Sequence, residues 1–215
     1  MKNYDGIIFD VDGTLVQTHD LIFASFKHVA EKYLNKKITN EEIHSLFGPT
    51  EDVILKDWAQ HRYDDARNDY YGYYESNHGE MASAFPGLPE LVHLIKSKGI
   101  KLGIYTGKGR ESTIITLKAV GMLEDFDLII TGDDVDKPKP SPEGINLFME
   151  KFGLDKSRVL MVGDAHVDIL AADAAGVKSA SVLWDSLTAE KVKQLKPDYL
   201  FDDVVEFIEF IKENI

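Results

Sequence analysis

The chain has 215 residues, and 24 Lys and Arg set against 37 Asp and Glu give it a net charge of −13 and a pI near 4.9. So acidic a chain lacks the basic surface needed to neutralise a phosphate backbone or an anionic membrane, so we expect neither nucleic acid nor a membrane as its partner. It has no cysteine, which excludes disulfides, thiol catalysis and thiolate-bound metals. We expect it to be a cytoplasmic protein.

Apolar runs and helical patterns alternate along most of the chain. Residues 4–9 form an apolar run that ends abruptly at Asp10, which predicts a buried strand entering a loop. Further strand-like runs, the last of them weaker, cover residues 101–105, 128–130, 159–162 and 179–183. Helical patterns lie between them at residues 86–98, 111–120, from 143 onward and 168–175. We therefore predict an α/β fold, a doubly wound, Rossmann-like parallel sheet with helices on both faces.

One long segment interrupts this alternation. Between Leu15 and Ala84 the pattern is helical and no strand is evident. Apolar residues recur with helical spacing at its start, and a tyrosine cluster near residues 70–74 is typical of a packed helix–helix seam. We predict a core domain made of residues 1–14 and 86–215, with a small all-helical domain, residues 15–85, inserted after the first strand.

Two acids follow the first predicted strand. Asp10 and Asp12 are two residues apart, so in extended chain both carboxylates point to the same side. Open parallel sheets bind ligands beyond the carboxyl ends of their strands, which is where this pair is expected. Gly13 allows a sharp turn after the pair, and Thr14 is suited to anchoring that turn.

A second acid pair follows the strand predicted at residues 159–162. Asp164 and Asp168 lie in the stretch Gly163-Asp164-Ala165-His166-Val167-Asp168 and reach the same edge of the sheet. Four converging carboxylates repel one another and require a cation, and oxygen ligands alone favour magnesium over zinc. His166 lies between the acids, but a hard-cation site does not need it as a ligand.

Two loops supply candidate phosphate-binding groups. Residues 106–109 place the Thr106 hydroxyl and exposed backbone amides before a helix, an arrangement suited to holding phosphate. The proline-rich loop that begins at Lys137 is stiff enough to hold an ammonium group over an acidic site. We expect Lys108 and Lys139 to be solvated.

These motifs, in this order, resemble the haloacid dehalogenase superfamily over essentially the whole chain. Asp10-Val11-Asp12-Gly13-Thr14 matches its first motif, DxDGT; Thr106 matches the second, Lys137 the third and Gly163-Asp164…Asp168 the fourth. The helical insertion resembles that superfamily's small cap domain, and the chain is most similar to its phosphoglycolate phosphatase-like group. The resemblance implies a hydrolase that removes phosphate from a small phosphorylated metabolite.

The resemblance also implies roles for the four acids. Asp10 would attack phosphorus and form an aspartyl-phosphate that water then hydrolyses. Asp12 would protonate the leaving group and then deprotonate the attacking water, and its presence argues for phosphoryl transfer over dehalogenation. Mg²⁺ would be held by Asp10, the backbone carbonyl of Asp12 and Asp164. Asp168 would lie outside the direct ligands and orient metal-bound water or the motif lysine.

Substrate contacts follow from the same match. Thr106, the amide of Gly107 and Lys137 would hold the phosphoryl oxygens. Many relatives have Asn at the position of Gly107, so we expect the backbone contact there without an amide side chain. In the inserted domain, Thr50 is equally suited to contacting substrate and to capping the next helix. His19 and Arg62 are weaker candidates for contacts to the leaving group, and surface positions are expected for both.

Other functions remain open at this stage. A phosphomutase of the same superfamily, or a pyrophosphatase, would use the same core residues. A receiver-like signalling domain also holds an aspartyl-phosphate at a sheet edge, but it is shorter and does not need Asp12. A binding protein without catalysis would be expected to have lost Asp10, Asp12 or Lys137, and all three are present.

Overall fold

The computed structural model describes residues 3–215 and is built on a six-stranded parallel sheet with the strand order β5-β4-β1-β6-β7-β8. Five pairings, all parallel, join neighbouring strands. The strands are β1 Gly6–Phe9, β2 Val16–Gln17, β3 Ser83–Ala84, β4 Lys101–Tyr105, β5 Leu128–Ile130, β6 Val159–Gly163, β7 Lys178–Val182 and β8 Tyr199–Phe201. The predicted α/β parallel sheet is therefore confirmed.

Helices cover both faces of this sheet. The α-helices are α1 His19–Val29, α2 Asn40–His44, α3 Glu51–Ala59, α4 Tyr63–Met81, α5 Leu88–Ser97, α6 Arg110–Ala119, α7 Glu143–Phe152, α8 His166–Ala175, α9 Ala189–Leu195 and α10 Val204–Asn214. A π-helical turn at Ala30–Leu34 and 3-10 turns at Gln60–Arg62, Leu123–Asp125 and Lys156–Arg158 complete them.

Alternating side chains of the central strands supply two hydrophobic clusters. Ile7 and Phe9 of β1 belong to one cluster, which includes residues of α5 and α10. Ile8, which points to the opposite face, belongs to the other cluster, with residues of α7 and α8. Burial on both faces explains why these strands are continuous apolar runs with no polar alternation.

The predicted strand positions agree with the structure to within a few residues, but the C-terminal part of the fold was not predicted. The predicted runs 101–105 and 128–130 coincide with β4 and β5. The weak run at 179–183 overlaps β7 but is shifted by one residue toward the C-terminus. β8, α9 and α10 follow it without having been predicted. β8 has only three residues and alternates in burial, so its sequence carries little strand signal.

Residues 18–82, called the helical insertion below, contain α1 to α4. They have a hydrophobic cluster of their own, in which Tyr70, Tyr71 and Tyr74 are buried as the predicted helix–helix seam. One expectation was wrong in detail: β2 and β3 flank the insertion and pair antiparallel, although no strand was expected between Leu15 and Ala84. Within residues 3–215, none of the helices combines the length and apolar character needed to span a bilayer.

Candidate active site

The candidate site lies at the carboxyl ends of three adjacent strands. Asp10 follows β1, Asp164 follows β6 and Thr106 follows β4, and β1 pairs with both of the other strands. Because parallel strands end at the same edge, side chains far apart in sequence meet there. The Asp10 amide still donates to the Val162 carbonyl at 2.9 Å, so the strand pairing holds the backbone of the first acid in place.

Three of the four predicted acids form one cluster. Asp10, Asp164 and Asp168 are buried, and one carboxylate oxygen from each lies within 4.8 Å of the others. Thr14 donates to Asp164 Oδ1 at 3.1 Å. Gly13 is required beside them, because it has φ +74° and a Cβ there would lie 2.7 Å from Asp164 Oδ2.

The electrostatics of this cluster suit a divalent cation. Burial, together with the charges of Asp10 and Asp168, raises the pKa of Asp164 well above its ordinary value. Burial also raises the pKa of Asp168, although Lys139 opposes that shift. A bound cation would stabilise the ionised form of these crowded carboxylates. Because all of the donors are oxygen atoms, the cluster suits a hard metal ion.

The lysine at this site is Lys139, and the prediction of Lys137 was wrong. Lys139 Nζ lies 2.9 Å from Asp10 Oδ2 and donates to Asp168 Oδ1 at 2.6 Å, with its side chain only 4% exposed. Burial alone would lower the pKa of Lys139, but the two carboxylates outweigh it and hold that pKa above the usual value. Lys139 is therefore a fixed positive charge between two of the acids.

Lys137 itself is exposed to solvent. Glu143, the first residue of α7, holds the backbone around it, since the Asp136 and Lys137 amides donate to its two carboxylate oxygens at 2.9 and 3.0 Å. Both lysines precede a proline, so the sequence pattern alone does not distinguish them.

Asp12 does not belong to the acid cluster, and its carboxylate instead contacts Thr18 and Lys108. Thr18 Oγ1 donates to Asp12 Oδ1 at 2.5 Å, and Lys108 Nζ lies 3.2 Å from the same oxygen. The expectation that Lys108 is solvated was wrong, since its side chain is 1% exposed. Burial alone would lower the pKa of Lys108, but Asp12, Tyr74 and Glu51 together raise it, so this lysine is also charged.

The predicted phosphate-binding turn lies beside these groups. Thr106 is buried and its Oγ1 accepts the Lys108 amide at 3.3 Å. Gly107 lines the same cavity as Asp10, Asp12 and Lys139. Thr106 and Gly107 thus both lie at the cavity, and their contact with phosphate stays a prediction.

The helical insertion docks on the core through Glu51, a residue that the sequence analysis did not single out. Glu51 Oε2 accepts the Gly109 amide at 2.6 Å, and Oε1 accepts the Ser112 hydroxyl at 2.5 Å. The carboxylate thus satisfies a free amide at the start of α6 and lies 3.7 Å from Lys108 Nζ. Sequence carries no signal for such a contact, because Glu51 and its partners are nearly 60 positions apart.

Thr50, His19 and Arg62, the residues of the insertion considered as substrate contacts, have different surroundings in the structure. Thr50 Oγ1 donates to Asp133 Oδ1 at 2.7 Å, and its side chain does not cap α3. His19 lines the cavity, with Nδ1 3.1 Å from Asp185 Oδ2. Arg62 is exposed and stacks on Tyr33 at 4.4 Å.

The sheet edge and the insertion together enclose a cavity of about 380 Å³. Asp10, Asp12, Thr106, Lys108 and Lys139 lie on its core side. A buried carboxylate, a second acid, two buried ammonium groups and a candidate cation site form a set of groups that can support phosphoryl transfer.

Fold and site together define a hydrolase of phosphatase type. The chain belongs to the haloacid dehalogenase-like hydrolase family, whose profile matches residues 7–182. This match confirms the resemblance predicted from the four motifs and removes the signalling-domain alternative.

Relatives of known name extend over the full chain. The chain is 31% identical to the pyrophosphatase PpaX of Bacillus velezensis over 207 residues, 96% of each chain. It is 33% identical to PpaX of Oceanobacillus iheyensis over 208 residues, 97% of each chain. Among solved structures, a predicted phosphoglycolate phosphatase from Haemophilus somnus 129PT superposes with a TM-score of 0.84 at 25% identity, covering 98% of this chain and 99% of that one. CbbY from Rhodobacter sphaeroides in complex with phosphate has the same fold, with a TM-score of 0.81 at 23% identity and 95% and 96% coverage.

The contact between Glu51 and Gly109 leads to a stability prediction. A Cβ at Gly109 would lie 2.5 Å from Glu51 Oε2, so Gly109→Ala must displace the carboxylate and break its bonds to the core. We expect the free energy of unfolding to fall by about 1.5–3 kcal/mol, the range for hydrogen bonds to a charged group. Chemical denaturation monitored by circular dichroism measures this.

The matched control is Gly79→Ala in α4, where nothing lies within 4 Å of the added Cβ. Alanine is favoured over glycine inside a helix, so this control is expected to gain about 0.5–1 kcal/mol. Equal effects of the two substitutions would refute the docking role assigned to Glu51.

Proposed function

We propose that this chain is a Mg²⁺-dependent phosphatase that hydrolyses a small phosphomonoester through an aspartyl-phosphate on Asp10. The observation that carries the proposal is the setting of the Asp10 carboxylate. Its Oδ1 accepts the Val11 amide at 2.7 Å and its Oδ2 lies beside the Lys139 ammonium, so the side chain is fixed at the cavity floor. A fixed carboxylate with a second acid two residues away supports nucleophilic attack assisted by an acid–base partner.

In the first step, an Asp10 oxygen bonds to phosphorus while the bond from phosphorus to the ester oxygen breaks. Asp12 donates a proton to that oxygen, and the alcohol leaves. In the second step, Asp12 takes a proton from water, whose oxygen attacks phosphorus and releases inorganic phosphate and free Asp10. Lys139, Thr106 and the Gly107 amide would hold the phosphoryl oxygens as charge builds on them, which is supported by the position of all three residues in the cavity lining.

The residues present fit Mg²⁺. We assign Asp10, Asp164 and the backbone carbonyl of Asp12 as the protein groups that hold it, with Asp168 orienting Lys139 through the 2.6 Å contact. When bound, the ion would neutralise the crowded carboxylates and reduce the repulsion between Asp10 and an anionic phosphate.

Pyrophosphate is the second candidate substrate. It is favoured by the names of relatives that are 31% and 33% identical over at least 96% of this chain. The same steps apply, with inorganic phosphate in place of an alcohol as the leaving group. The two buried lysines would offset the larger negative charge of this substrate.

The test is phosphate release from a panel of small phosphomonoesters and pyrophosphate, with Mg²⁺ and with EDTA. Asp10→Asn is expected to lower the rate at least a thousandfold, about 4 kcal/mol in activation free energy, because the amide is a poor nucleophile. EDTA is expected to abolish turnover and Mg²⁺ to restore it. Circular dichroism verifies that the variant is folded.

Turnover that survives Asp10→Asn would exclude the aspartyl-phosphate mechanism. If no compound releases phosphate but glucose 1-phosphate is converted into glucose 6-phosphate, the protein is a phosphomutase and the hydrolytic proposal is wrong. The relative rates on monoesters and pyrophosphate decide between the two candidate substrates.

A further inference from the structure

The cavity above Asp10 has an apolar side that the phosphoryl chemistry does not use. Phe47, in the loop between α2 and α3, and Leu187, in the loop between β7 and α9, both line it. Phe47 is 42% exposed and Leu187 is 45% exposed. We propose that the leaving group of the substrate carries a planar apolar moiety that packs against Phe47 and Leu187. This inference rests on the proposed function, because it names the leaving group of that reaction.

The size of the cavity supports an organic leaving group. Its volume of about 380 Å³ falls within the range of pockets that bind organic small molecules, roughly 300–1,000 Å³. Transfer of a phosphoryl group alone would use only the floor of this space, where Asp10, Lys139 and Thr106 lie. The remaining space extends toward the helical insertion.

Phe47 is held as a rigid platform although it is not buried. Its ring stacks on Phe23, with centroids 6.1 Å apart and an interplanar angle of 14°. Phe23 stacks in turn on His19 at 6.3 Å and 23°, and the His44 and Phe47 rings form a T-shaped pair with centroids 5.3 Å apart. Because these neighbours restrict the Phe47 ring and 42% of the residue is still exposed, a ligand can contact it with little further loss of side-chain entropy.

The placement of the two exposed residues distinguishes them from ordinary surface apolar groups. Single exposed hydrophobic residues need no explanation, but Phe47 comes from the insertion and Leu187 from the core, and both face one cavity. That cavity also contains Asp10 and Lys139. A ligand with an anionic end and an apolar end matches this distribution, whereas pyrophosphate has no apolar part.

Binding is tested with a pair of non-hydrolysable phosphonates that share the anionic head. Isothermal titration calorimetry with benzylphosphonate and ethylphosphonate, in Mg²⁺, compares the wild type with Phe47→Ala, Leu187→Ala and Val53→Ala. Val53, 57% exposed on α3, does not line the cavity and is the matched control. We expect the wild type to bind benzylphosphonate about tenfold more tightly, Phe47→Ala and Leu187→Ala to reduce this preference, and Val53→Ala to keep it.

Hydrolysis is tested with benzyl phosphate and ethyl phosphate, whose leaving alcohols have similar acidity. We expect kcat/KM to favour benzyl phosphate in the wild type and to approach equality in Phe47→Ala. Equal affinity of the wild type for the two phosphonates, or an equal loss in Val53→Ala, would overturn the inference. A wild type that prefers benzylphosphonate in calorimetry, yet releases phosphate from no compound, would support this apolar subsite and overturn the proposed function alone.

Discussion

Lys139→Met is expected to reduce phosphate release about a hundred- to a thousandfold, while Lys137→Met leaves it within about twofold of the wild type. The two lysines are two positions apart in the same proline-rich loop, yet only Lys139 contacts Asp10 and Asp168. Removing its charge leaves two buried carboxylates without their cation and removes a group that would hold the phosphoryl oxygens. Steady-state kinetics with the best substrate of the panel measures the effect.

Loss of a buried ion-pair partner also costs stability, about 3–5 kcal/mol, so folding has to be separated from catalysis. Lys139→Arg keeps the charge and is expected to recover stability more fully than activity, because the guanidinium is larger and differently shaped. Thermal denaturation of all three variants gives the comparison. If Lys137→Met proved as damaging to catalysis as Lys139→Met, the assignment of Lys139 would be wrong.

Asp164→Asn is expected to inactivate the enzyme and, in the absence of metal, to make the folded protein more stable at pH 8. The folded-state pKa of Asp164 is raised well above its ordinary value by burial and by Asp10 and Asp168. Above the unfolded pKa of about 4, the folded state therefore holds more protons, and stability is lost as pH rises toward the folded pKa. Asparagine does not ionise and avoids this loss, and its Oδ1 can still accept from Thr14.

The gain is expected as a higher Tm of the variant at pH 8 in EDTA, and it shrinks toward pH 4, where the Asp164 carboxyl of the wild type is protonated in the folded state. Differential scanning fluorimetry of the wild type and Asp164→Asn across this pH range measures it, with Asp57→Asn on the exposed side of α3 as control. Mg²⁺ is expected to raise the wild-type Tm at pH 8 and to have little effect on the variant. A wild type that is more stable than Asp164→Asn at pH 8 in EDTA would contradict the prediction.

The sequence was sufficient to predict the central sheet and the meeting of its acids. β1, β4 and β6 are almost entirely buried between the two helical layers, so each is an apolar run that the local sequence pattern detects. Once strands alternate with helices, the parallel topology brings Asp10 and Asp164 to one edge without further information. The fold class and the acid cluster can therefore both be predicted from the alternation of apolar strands with helices.

The groups that act on those acids depend on tertiary contacts and were not predictable in the same way. Lys139 and not Lys137 reaches the acids, and the path of this loop depends on contacts such as those of two loop amides with the Glu143 side chain. Lys108 is buried only because Glu51 and Tyr74 of the helical insertion cover it. In both cases the position of the lysine depends on contacts with side chains from distant parts of the chain. The hydrophobic periodicity of the sequence does not predict such contacts.

The short pairing of β2 with β3 determines how the helical insertion is joined to the sheet. Val16 pairs with Ala84 and Gln17 with Ser83, so the chain leaves and rejoins the core at adjacent points, about 5 Å apart. A hairpin turn of only about two to five residues spans that gap, and so does a segment of any greater length. A different segment could therefore replace residues 18–82 without changing the path of the six-stranded sheet, and it would bring its own side chains to the cavity in place of Phe47 and Glu51.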